Sequence, residues 1–394
     1  MPDGSDALSL EAHESMHRID AAAWDACAGT ANPFVSHAFL AALEDSGSAT
    51  AKTGWLGQHL TLREPGGRIV GCVPCYLKSH SYGEYVFDWG WAEAYERAGG
   101  AYYPKLQVSV PFTPVPGPRL LLHPEADATE VRRVLLAGLI RLTQLHNASS
   151  LHITFLSEAE WRAAGEAGYL LRQGTQYHWE NRRYADFDAF LADLMSRKRK
   201  QIRRERSEVA ASGLTIRTLR GSEITPALWK RFHRFYLTTV EKKWAHDYLT
   251  AEFFPLLGER LGDKVVLIVA ERGGRAVAGA LNLIGDGTLY GRNWGAAEHH
   301  DFLHFECCYY RAIDFAIEQG LRRVEAGAQG QHKIQRGYLP VATYSAHWIA
   351  DPRLEQAVAG FLQRETLQVI AEREALAASG PYRREHAGSC DASP

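Results

Sequence analysis

The sequence predicts an α/β (α+β) fold made of two similar halves, and three observations carry that expectation. Short apolar strand-like runs alternate with segments of helical periodicity along the chain. The turn in "REPGGRIVG" at 63–71 is echoed by "ERGGRAVAG" at 271–279, each joining an apolar strand to another strand. An echo at such a distance fits two related halves and not a solenoid, although Gly-Gly turns are common enough in hairpins for one short match to arise by chance. The length, 394 residues with 46% hydrophobic and 23% charged content, gives room for two or three domains with a substantial core.

Taken in order, residues 1–18 read as a flexible polar lead-in. Asn32 to Asp45 is helical, with Pro33 near its start and Gly47 just past its end. Strands Trp55–Arg63 and Arg68–Leu77 follow, joined by the "EPGGR" turn. From Tyr82 to Tyr103, aromatic rings are interleaved with Glu84, Asp88, Glu93 and Glu96. Most of these rings read as core, but rings beside acids can also stack on a sugar, a base or a peptide plane. Pro111, Pro114, Pro116 and Pro118 then form a stiff extended segment, suited to a pocket wall. Ala128–Leu145 is an amphipathic helix, Leu151–Phe155 a buried strand, and Gln176–Arg182 the strand that closes the first half.

Phe187–Ser212 reads as a connecting helix with Leu191, Met195, Ile202 and Val209 on one stripe. Arg197, Lys198, Arg199, Lys200, Arg203, Arg204 and Arg206 crowd its other surface. Such a run is usually a solvated face, but it is also a local field able to attract phosphate. The second half continues with strand Leu214–Thr218 and helices around Pro226–Thr239 and Thr250–Leu261. A meander of Val265–Glu271, Ala276–Ile284 and Thr288–Trp294 comes next, and Arg353–Ala378 is the last helix.

A formal net charge of -2 gives no global field for nucleic acid or membrane, so any anion site is local. The first thirty residues show no secretion signal, and the longest strongly apolar run, Val265–Ala270, is too short to span a bilayer, so the expected location is cytoplasmic. Six cysteines suggest no disulfide framework. Cys72 and Cys75 lie three apart in a strand-like run without a second CxxC, and Cys307 and Cys308 read as small core fillers. Serine-hydrolase, Walker, dinucleotide and zincin signatures are absent. His299, His300, His304 and Glu306 invite a metal reading, but no further ligand has a fixed spacing and no metal is assigned.

The chemistry concentrates between Tyr290 and Trp348. Leu303–Gln319 is helical, with Asp301 placed as its N-cap and Gly320 as its stop. Glu306 lies above Tyr310 and Ile313 by i, i+4 and i+7 spacing, on the face that should be buried. It is either a half-exposed acid favoured by the helix dipole or a base or amine anchor with a raised pKa. After a short strand at Arg322–Ala326, Gly327, Gly330 and Gly337 bracket Gln329, Gln331, His332, Lys333 and Arg336. That loop offers backbone amides and cations together, which suits an anion or a developing oxyanion, although a solvated basic loop has the same composition. Tyr338, Tyr344 and Trp348 beside it suggest a wall.

The run "LYGRNWGAAEHHDFLHFECCYYRAIDFAIEQGLRRVEAGAQGQHKIQRGYLPVATYSAHWI" resembles the signature of FemAB-like proteins of peptidoglycan biosynthesis or recognition, a branch of the GNAT superfamily. "GEYVFDWGWAEAY", "YYPKLQVSVPFTPVPGPRLL" and "RKRKQIRRERSEV" are similar to that family too, so the resemblance covers Asn32 to Arg373. It implies two tandem GNAT-like (acyl-CoA N-acyltransferase) domains as in Fem aminoacyltransferases. The expected divisions are 19–186 and 213–379, with a basic connecting helix at 187–212 and a disordered tail at 380–394.

The activity implied is direct transfer of an acyl or aminoacyl group to an amine, which needs contact between reactants, a base and an oxyanion stabiliser. Lys333 before Gly337 matches the basic K…G loop of Fem enzymes and becomes the oxyanion stabiliser, with Arg336 as phosphate or carboxylate clamp. Glu306 is the implied base, supported by His304 or His332. Gln329, Tyr290, Arg292, Trp294 and Tyr338 are placed at the substrate, as are Glu84, Asp88, Trp89 and Lys105 in the first half. Arg197, Arg199, Lys200, Arg203 and Arg204 are placed on phosphate or RNA. Coenzyme A enzymes of the superfamily show RxxGxG or RxxGxA before the central helix, whereas "RNWGAAEHHDFLHF" turns acidic. This favours an aminoacyl-tRNA donor over acyl-CoA, although no Fem-type coiled-coil arm is visible. No tightly bound cofactor is expected; the donor is a co-substrate and the partner an amine acceptor. A cell-wall precursor is one such acceptor, and a non-catalytic recognition module is the remaining alternative.

Overall fold

The computed structural model describes residues 8–242, 247–327 and 330–383. The early elements are β1 (Ser9–His13), α1 (Ala21–Ala28), α2 (His37–Asp45), β2 (Trp55–Gly57), β3 (His59–Arg63), β4 (Ile69–Val73) and β5 (Cys75–Lys78). Next come α3 (Trp89–Arg97), β6 (Lys105–Val108), β7 (Leu121–Leu122), α4 (Ala128–Leu145), β8 (Ser150–Leu156), α5 (Glu158–Glu166) and β9 (Leu170–Glu180). The chain continues with α6 (Phe187–Asp193), α7 (Ser196–Ala211), β10 (Thr215–Arg220), α8 (Pro226–Lys242), α9 (Phe253–Leu261), β11 (Val265–Arg272), β12 (Arg275–Gly285) and β13 (Thr288–Ala296). It ends with α10 (Leu303–Phe305), α11 (Arg311–Glu318), β14 (Arg323–Glu325), β15 (Leu339–Ile349) and α12 (Pro352–Ala378).

Two compact units form, and neither is a contiguous half. One gathers the described residues of 1–174, 248–256 and 342–370; the other gathers those of 175–247, 257–341 and 371–394. Segments on either side of the Gly-rich loop therefore go to different units, which the linear division at 186 and 213 does not contain. The expected connecting helix is two helices, α6 and α7, whose Phe190, Leu191, Ile202 and Val209 belong to the second unit's core. Met195, expected on its apolar stripe, is 41% exposed because the chain is extended between them.

In the first unit, β1, β3, β4 and β7 form a four-stranded antiparallel sheet. Part of the expected lead-in is thus a strand, with Ser9 to His13 paired to Arg63 to His59. The expected strand Arg68–Leu77 is divided at Pro74, and β5 enters a second sheet ordered β2, β5, β6, β8 and the 342–349 part of β15. Proline has no amide to continue a ladder, so it marks the switch. Only β6 and β8 are parallel there. Leu135, Leu136, Leu139, Leu151 and Ile153 sit in the core between α4 and the strands.

The second unit repeats the scheme. β10, β11, β12 and β13 form an antiparallel meander, β14 runs parallel to β13, and residues 178–180 of β9 pair antiparallel with β14. In each unit a hairpin with the Gly-Gly turn leads to a strand, a helical crossover and a parallel strand, which is the two-copy architecture expected. Val266, Ile268, Leu289, Ile313, Ala316 and Val324 fill this core. Tyr382 is anchored here: its hydroxyl donates to the Gly337 carbonyl at 2.7 Å. Residues 384–394 of the expected tail lie outside the described residues.

Candidate active site

The second unit opens where its two parallel strands part. β13 and β14 pair only through Thr288–Arg323, Leu289–Val324 and Tyr290–Glu325. β13 runs on to Ala296, whereas the chain after β14 turns away, and the Ala326 amide donates to the Tyr177 carbonyl of β9 at 3.3 Å. Gly291 allows the last close approach: a Cβ there would stand 3.2 Å from the Glu325 carbonyl oxygen. Beyond it the two strands are no longer paired, and this parting is the notch of the second unit.

Lys333 stands at this notch. Gln331–Arg336 is a 3₁₀ turn between Gly330 and Gly337, both with positive φ. Lys333 is 3% exposed; its ammonium donates to the carbonyls of Ala326 (2.6 Å) and Gly327 (3.1 Å) and stands 5.8 Å from the Tyr177 ring centre. The basic loop therefore does bring a buried cation to the parting strands.

Glu325, absent from the expected site, ends β14 one residue before the Ala326 carbonyl that holds Lys333. The residue is 6% exposed, faces Tyr290 on one side and His178 on the other, and its Oε2 has no hydrogen-bond partner among the described residues. Burial and the Glu180 carboxylate push its pKa up to about 8 against the pull of Arg323 and Arg292. His178 is held at about 3 by burial, Arg323 and Lys333, so the two groups at 3.8 Å are both neutral near pH 7 and form no ion pair. Burial first, then Glu325, pushes the Tyr290 hydroxyl up to about 12.

Other expected site residues go elsewhere. Glu306 is 3% exposed, but its carboxylate is held by Arg206 (3.1 Å) and Arg311 (2.9 Å), with Asp314 sharing Arg206. The oxygens a base would offer to a substrate are taken up by two guanidinium groups. It lines a cleft of about 430 Å³ with Arg206, Val209, Leu214, Ile216 and Arg311, and Lys333 is not on that cleft's wall. The pairing of Glu306 with Lys333 as base and oxyanion stabiliser is therefore lost. The helix itself is interrupted: Glu306–Tyr310 is a π turn, and Phe302, not Asp301, is the N-cap. Asp301 pairs with His299 at 3.3 Å.

Arg336 does not act as an open clamp either. It is 5% exposed, bonded twice to Glu205 at 3.0 Å and stacked 3.4 Å from the Phe305 ring centre. His332 and His304 do come together, with ring centres 6.3 Å apart, and Tyr309 bridges at 2.9 Å to His332 Nε2. Burial and the charges of Lys333 and Arg336 lower the His332 pKa, keeping it neutral. Trp294 packs against His304 and Tyr338 against Tyr309. Tyr290 and Trp294, both expected at the substrate, are separated by an irregularity between Ala280 and Asn282 of the partner strand, which resets the two-residue alternation. Gln329 lies outside the described residues.

In the first unit, Glu84, Asp88 and Lys105 are sealed away from any substrate. The Lys105 ammonium donates to Ser81 (2.7 Å), Glu84 (2.7 Å) and Asp88, and all four residues are buried. Of the expected group only Trp89 reaches the surface, 39% exposed, with its ring 4.9 Å from Tyr82.

The pattern of FemAB-like proteins, described as peptidoglycan biosynthesis/recognition, matches residues 15–384. The chain belongs to the FemAB-like family. No curated protein matches this FemAB-like chain. Among solved structures, FemX is similar with a TM-score of 0.55 at 10% identity, over 89% of this chain and all of that one (100%). L-PGS from Bacillus licheniformis has a TM-score of 0.50 at 12% identity, over 82% of this chain and 95% of its own. A tandem GNAT protein from the clavulanic acid biosynthesis pathway gives 0.47 at 14% identity, over 88% and 99%. This FemAB-like protein shares its mixed α/β fold with FemX.

On the FemAB-like chain's α7, Arg203 pairs with Asp188 (2.8 Å) and Arg204 with Glu208 (3.2 Å), while Arg206 turns inward. Among the described residues no carboxylate lies within ion-pair distance of Arg197, Arg199 or Lys200, which sit in the first turn, the positive end of the helix dipole. No helix among the described residues is long and apolar enough to cross a membrane.

Proposed function

We propose that this FemAB-like protein transfers an activated aminoacyl group directly to an amine of a cell-wall precursor, with the chemistry at the notch of the second unit. The observation that carries this reading is the buried Lys333 ammonium at the point where β13 and β14 part. A fixed cation in a dry opening steadies the oxyanion of a tetrahedral intermediate, and the parted strands leave room for the donor carbonyl. His332, kept neutral and bonded to Tyr309, is able to orient the acceptor. Tyr290 and Arg292 line the strand side. The basic first turn of α7, Arg197, Arg199 and Lys200, is the phosphate-binding element for an aminoacyl-tRNA donor. The acidic stretch before the helix, in which Glu298 pairs with Arg272 at 3.2 Å and Arg275 at 3.4 Å, is our reason for preferring this donor to coenzyme A. No tightly bound cofactor is needed, and the reaction belongs in the cytoplasm, where charged tRNA is made.

The test supplies labelled aminoacyl-tRNA and, separately, labelled acyl-CoA, with a panel of amine acceptors that includes muropeptide precursors. Transfer from the tRNA donor alone is expected; transfer from acyl-CoA alone would overturn the donor assignment, and no transfer from either would leave a recognition module. Lys333→Met should lower kcat by roughly 10²–10³-fold, the usual loss when an oxyanion donor is removed. Glu306→Gln should keep kcat within a few-fold and appear instead as a lower melting temperature, because only its ion pairs with Arg206 and Arg311 are lost.

A further inference from the structure

Glu325 is buried with one carboxyl oxygen left without a hydrogen bond among the described residues. Among the described residues its Oε2 meets no donor, and His178 Nε2 is 3.8 Å away, beyond hydrogen-bond length. Arg323 Nη1 stands 3.9 Å from Oε1, also too far to bond. A buried carboxyl oxygen without a donor is a cost that folds accept where the group has a task. Glu325 is also the last residue of β14 paired with β13, opposite Tyr290, at the point where the two strands part. The two carbonyls that follow it, Ala326 and Gly327, hold the Lys333 ammonium, so acid and cation are fixed by neighbouring residues.

We propose that Glu325 is the base that takes a proton from the acceptor's ammonium as its nitrogen attacks the donor carbonyl, an assignment that rests on the transferase reading above. The nitrogen lone pair forms the C–N bond, and the carbonyl oxygen becomes an oxyanion beside Lys333. On collapse the C–O bond of the ribose ester, or the C–S bond of a thioester, breaks. Of the two protons lost by the ammonium, one passes through Glu325 to the leaving oxygen or sulfur and the other goes to solvent. The groups facing Glu325 are His178 and Glu180 on β9, Arg323 on β14 itself, and Tyr290 and Arg292 on β13, with Lys333 beside His178. Together with burial they give a base whose proton affinity lies near working pH, where general bases act best.

The test compares full-length wild type, Glu325→Gln and Glu325→Asp, using one donor and acceptors of graded basicity. Glu325→Gln is expected to lose roughly 10²–10⁴-fold in kcat with an alkylamine, to keep the donor KM, and to recover most of that loss with hydroxylamine or a hydrazide, which arrive unprotonated. Wild-type kcat/KM should rise with pH through about 8, and Glu325→Asp should move that limb. An equal loss with every acceptor, with the pH profile unmoved, overturns the proposal and leaves a structural role. Absence of wild-type turnover with either donor overturns the transferase reading itself, so the two failures are separable.

Discussion

Replacing Lys105 with methionine should destabilise the first unit by about 3–5 kcal/mol, the usual cost of stripping one partner from a buried ion pair. The ammonium is fully buried, and burial alone would lower its pKa, yet Glu84 and Asp88 outweigh that and hold it raised. Asp88 is correspondingly held below the usual carboxylate range: burial opposes this, but Lys105 and His152 overcome it. Glu84 is less well served; burial pushes it up to about 7. Lys78, lowered by burial to about 7 and 3.9 Å from Glu84, is a poor substitute cation. Without Lys105 both acids must bind protons to remain buried, so the loss should be larger at pH 8 than at pH 6. Urea denaturation at the two pH values measures this. Adding Asp88→Asn to Lys105→Met should restore part of the stability, whereas strict additivity would show that the two side chains are not coupled.

Glu325→Gln should behave in the opposite way and stabilise the protein at alkaline pH. The carboxyl holds its proton to about 8 in the folded chain, against 4.5 when free. The folded state thus binds the proton more tightly than the unfolded one. Stability is fully present below about 4.5 and is lost as pH climbs towards 8. An amide carries no such charge, so the variant should match wild type near pH 4.5 and exceed it by roughly 2–5 kcal/mol at pH 9. Denaturant midpoints across that range are the measurement. A difference independent of pH would mean that Glu325 is ionised at little cost. A residue that weakens the fold while serving transfer would fit the trade-off usual at active sites.

Much of the site is legible in the order of amino acids, and what is not has a common cause. The Gly-rich basic loop stands out because glycines and cations within a few residues already limit what the backbone can offer. Glu325 gives almost no signal, being one acid at the end of a three-residue strand; its meaning comes from His178, supplied by β9, and Tyr290, supplied by β13. Glu306 resembles a base because its position on the helix implies burial. Burial is correct, but Arg206 arrives from 100 residues earlier and neutralises it. Glu84, Asp88 and Lys105 are recognisable as unusual charges among aromatics, yet no sequence pattern says that they bind each other.

By itself the sequence determined the alternation of strands and helices, the repeated Gly-Gly hairpin, the basic helix and the loop that carries Lys333. These depend on side-chain periodicity and backbone freedom within a few residues of chain. Tertiary structure alone decided which segments complete which unit, where β13 and β14 separate, and which buried acid is left without a donor. Those outcomes depend on strand pairing and charge neutralisation between residues far apart in the chain, where burial makes each missing or added partner count.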